Sequence, residues 1–285
     1  MKKFATILTV ISVCLFCFVL GYSGTKLLKR SSKPVLTILH VNDTHSHFEP
    51  VLLAEDKLLG GVVEAAAYVD SVRRKDGAEN VLLVHAGDFS QGSSYFTELD
   101  GDLEIDVLNA TGYDVVTIGN HEFDNGIEEL ARRLSKLNCP VVCANYDFST
   151  FELGKYITPY TIIEKAGRKI GIIGVLTDLR TVVDRDIVDR IPFFDTAEVT
   201  NKWADYLRNE ENCDLVICLT HIGYAGDRMS DRKLVTITRN IDLMIGGHSH
   251  TFLDKMEYET NLDGKEIPIV QAGSWGEYFG EIHLK

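Results

Sequence analysis

The chain has 285 residues, 45% of them apolar and 25% charged, which suits one large α/β domain or two small ones and speaks against both disorder and a repeat array. Its net charge of −13 argues against a duplex-DNA binder held by phosphate contacts, because that mode needs clustered Lys and Arg. Anionic substrates are still allowed, since bound divalent cations invert the local field.

The first predicted element is an export segment. Lys2 and Lys3 precede an apolar run from Phe4 to Tyr22, and the basic cluster Lys26, Lys29, Arg30 and Lys33 follows it. At roughly 19 residues the run can span a bilayer. Gly21, Tyr22, Ser23 and Gly24 make a mediocre cleavage site, which favours an uncleaved signal anchor over a cleaved signal peptide. A lipoprotein reading through Cys14 or Cys17 is weaker, because Val13 and Phe16 stand where a small residue is wanted. The expected location is extracytoplasmic, with residues 4–22 as the membrane anchor, or secreted or periplasmic after cleavage. Of the remaining cysteines, Cys139, Cys143, Cys213 and Cys218 lie in or beside apolar runs and read as buried free thiols, with a disulfide as the alternative.

Residues 1–33 thus form the export segment and its linker, and 34–285 read as one domain. Strands are expected at Val35–Val41, Val81–Ala86, Val115–Ile118, Val141–Ala144, Lys169–Leu176, Leu215–Thr220, Ile241–Ile245 and Ile267–Gln271, with helices between most of them. Gly61–Arg74 has apolar residues at helical spacing, and Asn125 with Glu128 reads as a capping box opening a helix through Leu137. Tyr160–Glu164 and Lys169–Gly174, joined through Gly167, read as a hairpin, so the sheet is mixed.

Most of these strands end in metal-ligating side chains. In chain order they are Asp43 and His45, Asp88, Asn120 followed by His121, His221, and His248 with His250. Taken singly, an Asp or Asn after a strand is more often a turn or cap residue, and a lone His near an apolar run is usually a satisfied side chain. Their coincidence in five strand-end loops favours ligation, because ligands bind outside the carboxyl ends of strands in open α/β sheets. Two divalent ions about 3.5–4 Å apart need an anionic ligand between them, and Asp88 on the Gly87-Asp88 turn is the best candidate bridge. Imidazole with carboxylate suits Zn, Mn, Fe or Co better than Ca or Mg.

The order Asp43-Thr44-His45, Gly87-Asp88, Gly119-Asn120-His121-Glu122-Phe123-Asp124, Thr220-His221 and Gly246-Gly247-His248-Ser249-His250-Thr251 resembles the calcineurin-like metallophosphoesterases, most closely the 5′-nucleotidase and UDP-sugar hydrolase branch. The likeness runs from Pro34 to the end and includes Gln271 to Gly280, which is similar to that family's closing strand pair. It implies an α/β fold, a four-layer αββα sandwich of two mixed β-sheets flanked by helices. It implies one metal on Asp43, His45, Asp88 and His250, and a second on Asp88, Asn120, His221 and His248. A hydroxide between them would attack phosphorus in line, with His121 donating to the phosphate and Asp124 holding the His121 ring. His40, His47 and His85 are expected to support rather than ligate, and Asn42 to brace its loop.

Members of this branch usually continue into a second domain that holds the nucleoside. The resemblance therefore carries over the catalytic half, and a separate partner would supply the substrate domain. Local candidates for substrate contact are Gln91–Leu99, with Tyr95 and Phe96 expected to be exposed, and Tyr224–Arg228. The expected activity is hydrolysis of nucleotides or related small phosphate esters. Alternatives are a phosphodiesterase or phosphatase for a cyclic nucleotide, UDP-sugar or surface polymer, and a surface binding protein without turnover. The intact His121 and Asp124 argue against the last, since a purely structural site has no use for a transition-state donor.

Overall fold

The computed structural model describes residues 34–53 and 57–285. The export segment and Cys14 and Cys17 lie outside the described residues. Among the described residues no helix is long and apolar enough to cross a membrane.

The chain opens with β1 (Leu36–Val41), a short hairpin of β2 (Val51–Leu53) and β3 (Lys57–Leu59), and helix α1 (Val62–Asp76). Then come β4 (Val81–Ala86), α2 (Ser94–Leu99), α3 (Asp102–Thr111), β5 (Val115–Thr117), α4 (Ile127–Leu134), β6 (Val141–Val142) and β7 (Ile157–Thr158). The second half runs β8 (Tyr160–Lys165), β9 (Arg168–Leu176), α5 (Arg185–Val188), α6 (Thr196–Asn209), β10 (Leu215–His221), α7 (Asp231–Thr236), β11 (Leu243–Ile245), β12 (Glu257–Thr260), β13 (Glu266–Val270) and β14 (Gly280–Leu284).

Two six-stranded sheets result, ordered β14-β1-β4-β5-β6-β7 and β12-β13-β11-β10-β9-β8. Both are mixed. β1, β4 and β5 are parallel, as are β9, β10 and β11, while β14, β8 and the pair β12-β13 bring antiparallel ladders. Because β1 and β4 are covered on both faces, all their residues are buried and they read as continuous apolar runs rather than alternating ones.

The sheets face each other across a core that includes Leu36, Ile38, Leu82, Val84, Ile170, Ile172, Ile217, Leu219 and Ile245. On the outer face of the first sheet α1 packs through Val69 and Val72 onto Leu39, Val81 and Leu83, and α3 and α4 pack through Ile105, Leu108, Ile127 and Leu130. On the outer face of the second, α6 and α7 supply Ala204, Leu207, Leu234 and Val235. This is the expected four-layer sandwich. At one point the sheets nearly touch: a Cβ on Gly174 would lie 2.0 Å from the Val142 carbonyl oxygen, and Ala144 N–H donates to the Gly174 oxygen at 2.8 Å. That cross-sheet bond ends β6 at Val142, two residues short of expectation.

Four other expectations are corrected. The proposed capping box at Asn125 does not form: Gly126, at φ 87°, caps α4 without a side-chain bond, Glu128 pairs with Arg190 at 3.0 Å, and α4 ends at Leu134 rather than Leu137. The preceding residues are spent on a 3₁₀ turn, His121–Phe123, which Gly126 N–H closes onto Phe123. Gln271–Gly280 joins β13 and β14, which do not pair with each other; each lies in a different sheet, so this segment crosses between the layers. Phe96 is buried rather than exposed, and Cys139 is only half-buried, although all four described cysteines are unpaired.

Candidate metal centre

The parallel strands β1, β4, β5, β10 and β11 deliver their carboxyl ends to one edge of the sandwich. There the loop after β1 is laced to the loop after β4: Asp43 N–H donates to the Gly87 oxygen at 2.9 Å and His45 N–H to the Asp88 oxygen at 3.1 Å. Asp43, His45, Asp88, His248 and His250 all have φ between 49° and 79°, in the left-handed region. Each such non-glycine residue costs about 1 kcal/mol or more, and clusters of this kind occur where side-chain direction matters to function. Gly87 is required at the tightest point, since at φ 86° its Cβ would sit 2.7 Å from both Gly119 N and His221 Nδ1.

These loops bring together Asp43, His45, Asp88, Asn120, His121, His221, His248 and His250. Asp43, His45 and His250 form one cluster whose donor atoms lie within 4.8 Å of one another, and Asp88, His221 and His248 form a second. Carboxylate oxygens stand between them. Asp88 Oδ2 is 2.9 Å from His221 Nε2 and 3.8 Å from His45 Nε2; Asp43 Oδ1 is 3.4 Å from His250 Nε2 and 3.8 Å from both His45 and His221. Asp43 is thus placed between the clusters as well as Asp88.

The donor set fits a pair of cations. His45 Nδ1 faces the Gln91 carbonyl at 2.9 Å and His221 Nδ1 the Ala86 carbonyl at 2.7 Å, which puts the hydrogen on Nδ1 and turns each Nε2 lone pair inward. His45 Nε2 and His250 Nε2 face each other at 3.0 Å. The buried Asn120 Oδ1 has no hydrogen-bond partner, as expected of an oxygen reserved for a ligand. Burial opposes ionisation of Asp88, but the imidazoles of His221, His45 and His121 outweigh it and hold the carboxyl well below the usual range.

His121 stands at the mouth. Its N–H donates to Asp88 Oδ1 at 2.9 Å and its Nδ1 pairs with Asp124 Oδ2 at 2.9 Å. The bond to Asp124 raises the His121 pKa against the opposing effect of burial. The cleft, about 360 Å³, is lined by His45, His47, Asp88, Asn120, His121, His248, His250 and Trp275, with Gln91 and Gly92.

Behind these side chains stands a set of supports, of which the sequence reading had only Asn42. Asn42 Nδ2 donates to Asp43 Oδ2 at 2.6 Å and to the Gly273 oxygen, while its Oδ1 takes the Ala272 N–H. Glu122 accepts from the N–H groups of Asp88, Ser90 and Gly119, and burial, with the Asp88 charge, pushes its pKa up to about 7. The buried Arg133 ties Ser90 Oγ to the Glu122 oxygen at 2.7 Å each. Gln271 joins the Gly247 oxygen to Ser249 and Thr251. Glu122 lies inside the Gly119–Asp124 motif and could have been found there, and Gln271 opens the segment likened to the family's closing strands; nothing in the sequence singles out Arg133. Among the remaining histidines, His85 reaches Thr44 Oγ1 at 3.0 Å, His47 stacks on Trp275, and His40 is buried away from both clusters. Tyr95 is half-buried and bonded to Glu49, and Tyr224–Arg228 does not line the cleft.

Known proteins resemble the stretch of chain that carries this centre. A 5′-nucleotidase of Bos taurus is 32% identical over 275 residues, covering 88% of this chain and 46% of the relative. A probable 5′-nucleotidase of Treponema pallidum is 31% identical, covering 100% and 50%. The solved 5′-nucleotidase precursor of Thermus thermophilus superposes with a TM-score of 0.80 at 31% identity, covering 88% of this chain and 51% of that one. The calcineurin-like phosphoesterase YfkN of Bacillus subtilis gives a TM-score of 0.71 at 29% identity, covering 89% and 85%. The chain spans about half the length of the curated 5′-nucleotidases it matches. The family described as Calcineurin-like phosphoesterase, whose members use divalent metals, matches residues 36–252, a span that begins with β1 and takes in every strand-end loop of the centre. With fold and sequence match in agreement over that span, the chain belongs to the calcineurin-like phosphoesterases.

Proposed function

We propose that this chain is an extracytoplasmic, dinuclear-metal phosphoesterase that hydrolyses nucleotides or related small phosphate esters, in the manner of a 5′-nucleotidase. The observation that carries the reading is the convergence of two donor clusters, each within 4.8 Å, beside a histidine already paired to a carboxylate. Its relatives named as 5′-nucleotidases support the substrate class.

Asp43, His45, Asp88 and His250 would hold one ion, and Asp88, Asn120, His221 and His248 the other, the ions being Zn, Mn, Fe or Co by donor type. When bound, such a pair supplies Lewis acidity and an acidified water for in-line attack. The chain itself orients the ester. Asp124 accepts from His121 Nδ1 and favours the doubly protonated imidazolium, whose Nε2–H would donate to the phosphate oxygens as charge builds there. Residues 4–22 would anchor the enzyme at the membrane.

The test is a substrate panel of nucleoside monophosphates, UDP-sugars, cyclic nucleotides and simple diesters. The full-length chain, stripped of metal and reloaded with Mn or Zn, should release phosphate fastest from the monophosphates. Preference for cyclic nucleotides or diesters would shift the assignment to a phosphodiesterase, and no hydrolysis of any member would refute the reading.

A further inference from the structure

Trp275 is held where a large side chain rarely sits. Its φ of 60° is left-handed, a genuine outlier for a bulky residue. Its N–H donates at 2.7 Å to the carbonyl oxygen of Asp43, so the loop that crosses between the sheets is pinned to the backbone of a candidate ligand. The indole is 39% exposed and lines the same cleft as His121 and Asn120. One face of it is stacked on the His47 ring, which lines the same cleft, with centroids 4.9 Å apart and planes at 17°. His47 is itself fixed through Nδ1 to the His45 oxygen at 2.8 Å. A strained backbone that presents a flat, rigidly backed aromatic face to an open cleft is built for contact rather than for packing.

Charge narrows what that contact is. Among the described residues lining the cleft, none is Lys or Arg. Beyond the phosphate itself, the rest of a substrate meets imidazole, amide and indole, so dispersion and stacking, not ion pairing, are the available means of recognition.

We propose that Trp275, backed by His47, is the specificity platform of this site and takes the planar aromatic part of the leaving group in a phosphate ester. Nucleobases and aryl alcohols share that chemistry. The inference rests on the phosphoesterase reading and adds which side chain selects the substrate.

The test uses the full-length chain loaded with Mn, and compares adenosine monophosphate and phenyl phosphate with ethyl phosphate. Base stacking on an aromatic side chain is worth enough that Trp275→Ala should raise KM for the two aromatic esters about tenfold, while kcat/KM for ethyl phosphate changes less than about twofold. Trp275→Phe should restore most of the loss. An equal loss on all three esters would show a merely structural role and overturn the platform. Binding gives a second readout, because the chain has only two tryptophans. In a Trp203→Phe background, adenosine monophosphate should quench the remaining indole saturably and inorganic phosphate should not. Quenching without hydrolysis would sink the phosphoesterase reading and leave the platform standing; hydrolysis without quenching or ester discrimination would do the reverse.

Discussion

The two donor clusters are chemically alike and differently housed. In the cluster of Asp88, His221 and His248, the His221 side chain is fully enclosed, its Nδ1 locked to β4 and its neighbours held by Glu122 and Arg133. In the cluster of Asp43, His45 and His250, the His250 side chain is 42% exposed and borders the open cleft. Asp88 and His248 also line the cleft, so the first cluster is the more closed of the two rather than sealed, and the second is the more open because His250 completes it. A closed donor set is expected to hold its ion by preorganisation, because the surrounding packing fixes each ligand; an open one exchanges its ion and meets the substrate.

Substitution of the two carboxylates tests this division most severely. Asp88→Asn should abolish turnover, a loss larger than the roughly 10²–10⁴-fold assigned to a positioned acid, and should lower bound metal from two ions to less than one. Asp43→Asn, whose carboxylate lies nearer His250 at 3.4 Å than His221 at 3.8 Å, should retain about one ion by elemental analysis. Equal stoichiometries in the two variants would break the distinction. His121→Ala comes next: kcat should fall by about 10²–10⁴-fold with two ions still bound, since the residue borders the mouth without belonging to either cluster. Glu122→Gln should weaken metal binding about 10–100-fold, read by chelator competition, and more for the ion of the closed cluster than for the other. Loss of both ions together would mean that the clusters are one cooperative unit.

The smallest effect concerns neither cluster and calibrates the others. Burial lowers the His40 pKa from 6.5 to about 4, so the folded protein leaves this ring neutral where the unfolded chain already binds a proton. More protons bound by the unfolded state means that stability falls as pH drops from 6.5 toward 4, with a slope of at most about 1.4 kcal/mol per pH unit from this group. His40→Leu should flatten the fall in metal-free thermal midpoint across that window. Some slope should survive through His85, whose pKa burial lowers to about 3.

Much of the fold was readable because β1, β4, β9 and β10 are long apolar runs whose burial on both faces leaves an uninterrupted signal. β7, β12 and β14 were not read. They are short or lie at sheet edges where half the residues are wet, so composition gives little. The false capping box at Asn125 followed from trusting a local pattern where the His121–Phe123 turn had already claimed the backbone. In the centre, ligating residue types after strands were visible as a pattern, whereas the left-handed backbone that aims five of those side chains was not.

The sequence by itself determined the chemistry at this edge of the sheets: imidazoles and carboxylates spaced so that each follows a strand, with a histidine and an aspartate three apart ready to pair. Only the tertiary structure decided how they are shared. Parallel strands from two different sheets had to end at one edge before His45 could face His250, and the crossing segment from β13 to β14 had to pass over Asp43 before Trp275 could reach the cleft. Such placements depend on contacts between residues some two hundred positions apart, 205 in the case of His45 and His250, and no local propensity encodes them.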